Sequence, residues 1–278
     1  MPTRRAFLFS AGALAVPARA KTRRVKVGVC GSIDDFPKAV QYGFDYFEPA
    51  GAAIAALNDQ AFAAFRDRVL ASPIRCECFN SFIRTLKVVG PDVNQEALAS
   101  YVSSTLDRCR QVGATIVVWG SASSRNVPEG YSRDRAWDQI VSFLRSAGDI
   151  ARSKQIVLAI EPQRKQESNI INSGAEALRL VHDVHHPNVK MIIDYYHLRE
   201  ENENPEILKT ARDQIVHLHF ANPKGRVWPK QPDEDPLYAR FFELIKETRF
   251  RGGISIEGTG TYDRDATASL AFFRKELS

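Results

Sequence analysis

Much of what marks the common function classes is missing from this chain. No apolar run is long enough to cross a bilayer: Ala11 to Val16, near the N-terminus, falls far short of the ~20 residues a spanning helix needs, and no other candidate follows. The four cysteines, Cys30, Cys76, Cys78 and Cys109, form neither a zinc motif nor a disulfide framework. Cys76 and Cys78 alternate along a strand-like run and read as buried core thiols, although an oxidising compartment would allow a pair to join. No Gly-x-Gly-x-x-Gly turn follows the first apolar run, which counts against a dinucleotide-binding sheet. No linker or low-complexity segment divides the 278 residues, so they read as one domain behind a leader.

Excess charge is also scarcer than it looks. The formal net charge is +5, but Arg4, Arg5 and Arg19 supply three of those charges and residues 1–20 contain no acid, leaving +2 for the rest. The high isoelectric point is therefore poor support for a nucleic-acid partner. Residues 1–20 have their own logic: Thr3-Arg4-Arg5-Ala6-Phe7-Leu8 is a twin-arginine pattern, and Ala18-Arg19-Ala20 offers a small-x-small cleavage site. The departure is Phe9, where Lys often stands. These features predict a twin-arginine signal peptide over 1–20. The mature 21–278 domain would be exported, already folded, to the periplasm or the exterior.

What is present in quantity is a repeated strand–helix unit. Strand-like runs are expected at Val25–Cys30, Phe44–Glu48, Ile74–Phe79, Thr115–Trp119, Ile156–Ile160, Val189–Ile193, Ile215–Leu218 and Gly253–Ile256. Helices are expected after them at Asp35–Tyr42, Asn58–Leu70, Gln95–Val112, Arg133–Ser153, Ser173–Val184, Glu206–Gln214, Pro236–Thr248 and Asp263–Glu276. Eight such units predict the α/β class and a single (β/α)8 TIM barrel. The longest loops, 80–94, 120–132 and 221–235, all follow strands, so they gather at the mouth where barrels carry their chemistry.

Four of the runs end on a residue able to bind a metal: Glu161, Asp194, His219 and Glu257. Three carboxylates and one imidazole form a hard, oxygen-rich site for one divalent cation, Mn²⁺ first, then Mg²⁺, Co²⁺ or Zn²⁺. His217 shares a strand face with His219 and reads either as a site residue or as a core histidine one layer down. His197 lies just past the sixth strand, within reach of the mouth. His182, His185 and His186 cluster at a helix end and are expected to face solvent.

With these residues in place, the chain resembles the xylose-isomerase-like barrel superfamily, most closely its ketose 3-epimerase and hydroxypyruvate-isomerase branches. The resemblance is carried by Glu161-Pro-Gln-Arg-Lys-Gln-Glu167, Asp194-Tyr-Tyr-His197, His217-Leu-His-Phe-Ala-Asn-Pro-Lys-Gly-Arg226 and Ile254-Ser-Ile-Glu257. It implies metal binding by Glu161, Asp194, His219 and Glu257, and substrate contacts from Glu167, His197 and Arg226. Two departures fall where substrate identity would be decided. Pro162-Gln163 stands in place of the family's Leu-Asn, and its Pro-Gly is missing from Asn80–Arg84.

The reaction expected is proton transfer next to a sugar carbonyl, through an enediolate stabilised by the cation, with Glu161 and Glu257 as the flanking bases. Epimerisation needs groups on both faces and isomerisation needs one, so the pair favours an epimerase. The alternatives are a lyase acting on 3-keto-glycosides at the same site and a non-catalytic carbohydrate-binding barrel. A three-zinc endonuclease would need more histidines than the mouth offers, since only six exist and three of them sit in the helix-end cluster. Arg226, Arg84 and Arg125 are possible cations at the mouth. The best phosphate cradle, Gly258-Thr259-Gly260, is weak, so a neutral small-molecule carbohydrate is expected. Nothing in the sequence sets the oligomeric state.

Overall fold

The computed structural model describes residues 24–278. The twin-arginine pattern and its cleavage site lie outside the described residues. Eight parallel strands run β1 (Lys26–Gly31), β2 (Tyr46–Pro49), β3 (Cys78–Phe79), β4 (Ile116–Trp119), β5 (Val157–Ile160), β6 (Val189–Asp194), β7 (Ile215–Phe220) and β8 (Gly253–Ile256). They pair in the order β2-β1-β8-β7-β6-β5-β4-β3. Single contacts rather than a ladder close the circle between β2 and β3. Phe47 N donates to Arg75 O (3.0 Å), Asn80 N to Pro49 O (3.2 Å) and Gly51 N to Asn80 O (2.7 Å). The result is a (β/α)8 barrel, nearly closed, with helices outside it.

The longest helix, Arg133–Ser153, shows how the sequence builds that outer layer. Ser132 caps it by accepting from Arg135 N, and Trp137, Ile140, Phe143, Leu144 and Ala147 turn one face onto the strands. Burying a side chain such as Ile140 or Leu144 contributes about 1.5–3 kcal/mol, so the stripe holds the helix in place.

Two expected elements are shorter than the sequence suggests. The run 74–79 forms a strand only at Cys78–Phe79, because Arg75 turns back to donate to the carbonyls of Val69 (3.0 Å), Ser72 (2.5 Å) and Ile74 (3.0 Å). Cys76 therefore packs outward among the helices and Cys78 inward, in two different cores. The segment 206–214 is helical only over Ile207–Thr210. Three short helices were not expected: Gly51–Ala56, Ala122–Arg125 and Tyr195–Glu200. All three follow strands at the mouth.

Inside the barrel a small apolar cluster of Tyr46, Cys78, Val118, Ala159 and Ile192 forms the floor. The Tyr46 ring fits because two inward positions are glycine. A Cβ at Gly28 would lie 2.2 Å from that ring and one at Gly253 2.7 Å from its hydroxyl. Space, not backbone freedom, fixes both glycines.

Candidate active site

Inward-facing residues of a barrel stack in layers, and those toward the mouth are polar. Glu161, Asp194, His219 and Glu257 meet there, each offering a ligand atom within 4.8 Å of the others. The structure thus brings together the four strand-end residues predicted to hold a metal. Local structure aims each one. Gly120, at the end of β4, clears the space for Glu161, since a Cβ there would sit 1.6 Å from Glu161 Oε2. Asp194 caps the helix Tyr195–Glu200 by accepting from Tyr196 N through Oδ1 (2.9 Å), which leaves Oδ2 for the mouth. Glu257 accepts from Asn80 Nδ2 (3.1 Å) and Arg226 Nη2 (2.9 Å). His219 Nδ1 faces Glu161 Oε1 at 2.9 Å and Glu257 Oε2 at 3.3 Å.

This layer carries more negative charge than its neighbours neutralise. Burial raises Asp194 to about 7, helped by Glu257 and Glu161 and opposed by Arg226. Glu161 is raised by burial and by Glu257. Glu257 goes the other way: burial opposes ionisation, but His219 and Arg226 hold it at about 2. His219 rises well above the usual imidazole range, since Glu48, Glu257 and Glu161 outweigh the cost of burying its charge. Two strained acids beside one ionised acid and one imidazole fit a divalent cation well, by charge and by donor type.

Glu167, His197 and Arg226 also lie at this mouth. Arg226 adopts φ 50°, with its carbonyl held by Thr259 N (2.7 Å). Its guanidinium lies 4.6 Å from the centre of the Tyr196 ring and spans Glu257 (2.9 Å), Asp194 (3.5 Å) and Glu167 (3.5 Å). His197 accepts from Arg164 N through Nδ1 (3.3 Å), so its proton is on Nε2, which is buried without a hydrogen-bond partner. Burial, aided by Arg226, lowers this imidazole to about 3, so it is a neutral donor.

Residues 36–276 match the family described as xylose isomerase-like TIM barrel. The chain belongs to that family. The 3-dehydro-D-guloside 4-epimerase of Escherichia coli K12 is 24% identical over 254 residues, covering 87% of this chain and 94% of that one. The L-ribulose 3-epimerase of Methylomonas sp. is 30% identical over 132 residues, covering 47% and 44%. Among solved structures, D-psicose 3-epimerase from Clostridium cellulolyticum H10, with D-tagatose, superposes with a TM-score of 0.79 at 19% identity. That match covers 91% of this chain and all of the other, and it speaks for the fold. The curated relatives are named epimerases or, in one case, hydroxypyruvate isomerase, and this chain is an isomerase-class enzyme of the same family.

Within this family barrel, two expectations about cations and histidines need correction. Arg125 is not at the mouth: it is fully buried beneath it, donating to Trp119 O (3.0 Å), Glu161 O (2.7 Å) and Gln163 Oε1 (3.3 Å). Its role is to brace the strand ends. His182 and His185 face solvent, but His186 is half-buried against Asp149, with Nδ1 accepting from Asn188 N (3.1 Å).

Two residues escaped the sequence reading, Asn80 and Glu48. Glu48 is fully buried and faces both histidines of β7, at 2.9 Å from His217 Nε2 and 2.8 Å from His219 Nε2. The run Phe44–Glu48 ends on a residue able to bind a metal, as the four chosen runs do, so the same rule would have found it. His217 is the core histidine one layer down.

Proposed function

We propose that this enzyme is a divalent-metal-dependent sugar epimerase, moving a proton on carbon next to a carbonyl. The convergence of Glu161, Asp194, His219 and Glu257 at the strand ends carries this reading. Those four residues would hold the cation, Mn²⁺ first, and when bound it would supply Lewis-acid stabilisation of the oxyanion that forms as the proton leaves. Glu161 and Glu257 stand three strands apart and line the same cavity, so one takes the proton and the other returns one from the opposite side. His197 donates from Nε2 to a substrate oxygen, Arg226 donates from its guanidinium and Glu167 accepts from a hydroxyl. Replacing either flanking glutamate with glutamine tests the assignment, with deuterium exchange at the substrate carbon as the readout.

The cavity favours a substrate larger than a free ketose. It measures about 730 Å³, and apart from Asn80 and Arg84 its walls from the β1 to β4 loops are small, with Gly31, Ser32, Ala53, Ser81, Ala122 and Ser123 among them. That volume suits a drug-sized ligand. A 3-keto-glycoside is therefore the second reading, as epimerase or lyase substrate, in line with the relative named 3-dehydro-D-guloside 4-epimerase, 94% of which the match covers. A phosphorylated sugar is disfavoured because the amide of Thr259 is spent on Arg226 O. A panel of ketoses, sugar phosphates and keto-glycosides separates these. Export through the twin-arginine leader is part of the proposal, and N-terminal sequencing of secreted protein tests it. Mature chains beginning near Lys21 support export, and an uncut cytoplasmic chain contradicts it.

A further inference from the structure

Beneath the candidate metal layer lies a second polar layer that the proposed chemistry does not use. Glu48 is its centre, 0% exposed. Its Oε1 accepts from His219 Nε2 (2.8 Å), and its Oε2 accepts from His217 Nε2 (2.9 Å) and Ser255 Oγ (2.5 Å). Tyr46 Oη stands 2.7 Å from Ser255 Oγ; since that serine donates to Glu48, the tyrosine donates to the serine. One carboxylate from β2 thus takes three donors from β7 and β8, across the barrel interior. A buried charge is kept only when it is paired and hydrogen-bonded, and this one is both.

The arrangement has a consequence for His219. A neutral imidazole presents a lone pair from one nitrogen only. With Nε2–H held by Glu48, the lone pair belongs to Nδ1, on the side of Glu161 and Glu257. We propose that Glu48 is the positioning residue of the metal centre, fixing the tautomer and ring angle of His219, with His217 and Ser255 holding Glu48 in turn. This rests on the metal reading of the four-residue layer. It also distinguishes Glu48 from a mere core strut. Its amide counterpart keeps the shape but has one acceptor and one donor edge, so it cannot accept from both histidines at once.

The test is Glu48→Gln in the full chain, titrated with Mn²⁺ by calorimetry beside the wild type. The Mn²⁺ dissociation constant is expected to rise about 10- to 100-fold, with the far-ultraviolet circular dichroism of the metal-free protein unchanged. Excess Mn²⁺ should restore part of kcat, which damage to the fold would not allow. If wild type binds one Mn²⁺ and a folded Glu48→Gln binds it within about twofold, this inference falls and the metal reading stands. If wild type binds no Mn²⁺, both fall. Should the variant not fold, the tautomer in Zn²⁺-loaded wild type decides. Nitrogen-15 NMR is expected to show His219 protonated at Nε2, and protonation at Nδ1 instead overturns the proposal.

Discussion

The two polar layers of the barrel interior are built from the same residue types to opposite ends. The lower layer surrounds one carboxylate, Glu48, with two imidazoles, a serine and, through it, a tyrosine. His219 and His217 hold Glu48 well below the usual carboxylate range although burial opposes it. The upper layer packs three carboxylates around one shared imidazole and borrows a guanidinium from a loop. Two of its acids, Glu161 and Asp194, are strained, and only Glu257 is satisfied, by His219 and Arg226. A protein stabilises the first kind of layer for its own sake. The second leaves acids short of neutralising partners, as the proposed cation site requires, and it sits where the mouth opens.

The largest contrast is expected in catalysis. Glu257→Gln or Glu161→Gln should lower turnover at least ~100-fold while Mn²⁺ is retained in part; steady-state kinetics with metal analysis checks both. Activity near wild type with metal bound would assign proton transfer elsewhere.

Packing gives the next contrast, through two glycines. Gly28→Ala drives a Cβ into the Tyr46 ring and should cost about 1–3 kcal/mol of stability. Gly120→Ala instead displaces the Glu161 carboxylate, so its main effect should be on metal affinity. Denaturant unfolding and Mn²⁺ titration of the pair would show whether the layers separate in this way. Equal effects on both readouts would erase the distinction.

The upper layer should also reveal itself through pH. Asp194 titrates at about 7 in the folded chain, against ~3.9 for an unfolded aspartate. Between those values the folded state holds the extra proton. The metal-free protein therefore has this stability in full below about pH 4 and loses it as pH rises through about 7. Asp194→Asn removes the dependence, so in chelator the variant should unfold at a higher temperature than wild type at pH 8. A variant less stable than wild type at that pH would mean that the aspartate is satisfied without a cation. The smallest effect belongs to the lower layer: Tyr46→Phe removes one neutral hydrogen bond, costs about 0.5–1.5 kcal/mol and leaves Mn²⁺ affinity unchanged.

Legibility followed the same division. Glu161, Asp194, His219 and Glu257 were readable because parallel strands are continuous apolar runs whose C-terminal ends share one mouth. Glu48 was harder: its run also contains Asp45, which faces the other way and accepts from Val27 N (2.8 Å), so the terminal acid did not stand out. Arg125 looked like a loop cation in a Ser-rich stretch, and only the fold shows three acceptors buried beneath the mouth. The short β3 depends on the Arg75 side chain reaching backbone carbonyls, which no periodicity encodes.

The most direct test of the metal reading is an anomalous-difference map from Mn²⁺-soaked crystals of the chain. One peak per chain is expected, within ~2.0–2.6 Å of side-chain atoms from Glu161, Asp194, His219 and Glu257. A peak at the lower group of Glu48, Cys78 and His217, or no peak inside the barrel, would contradict the account.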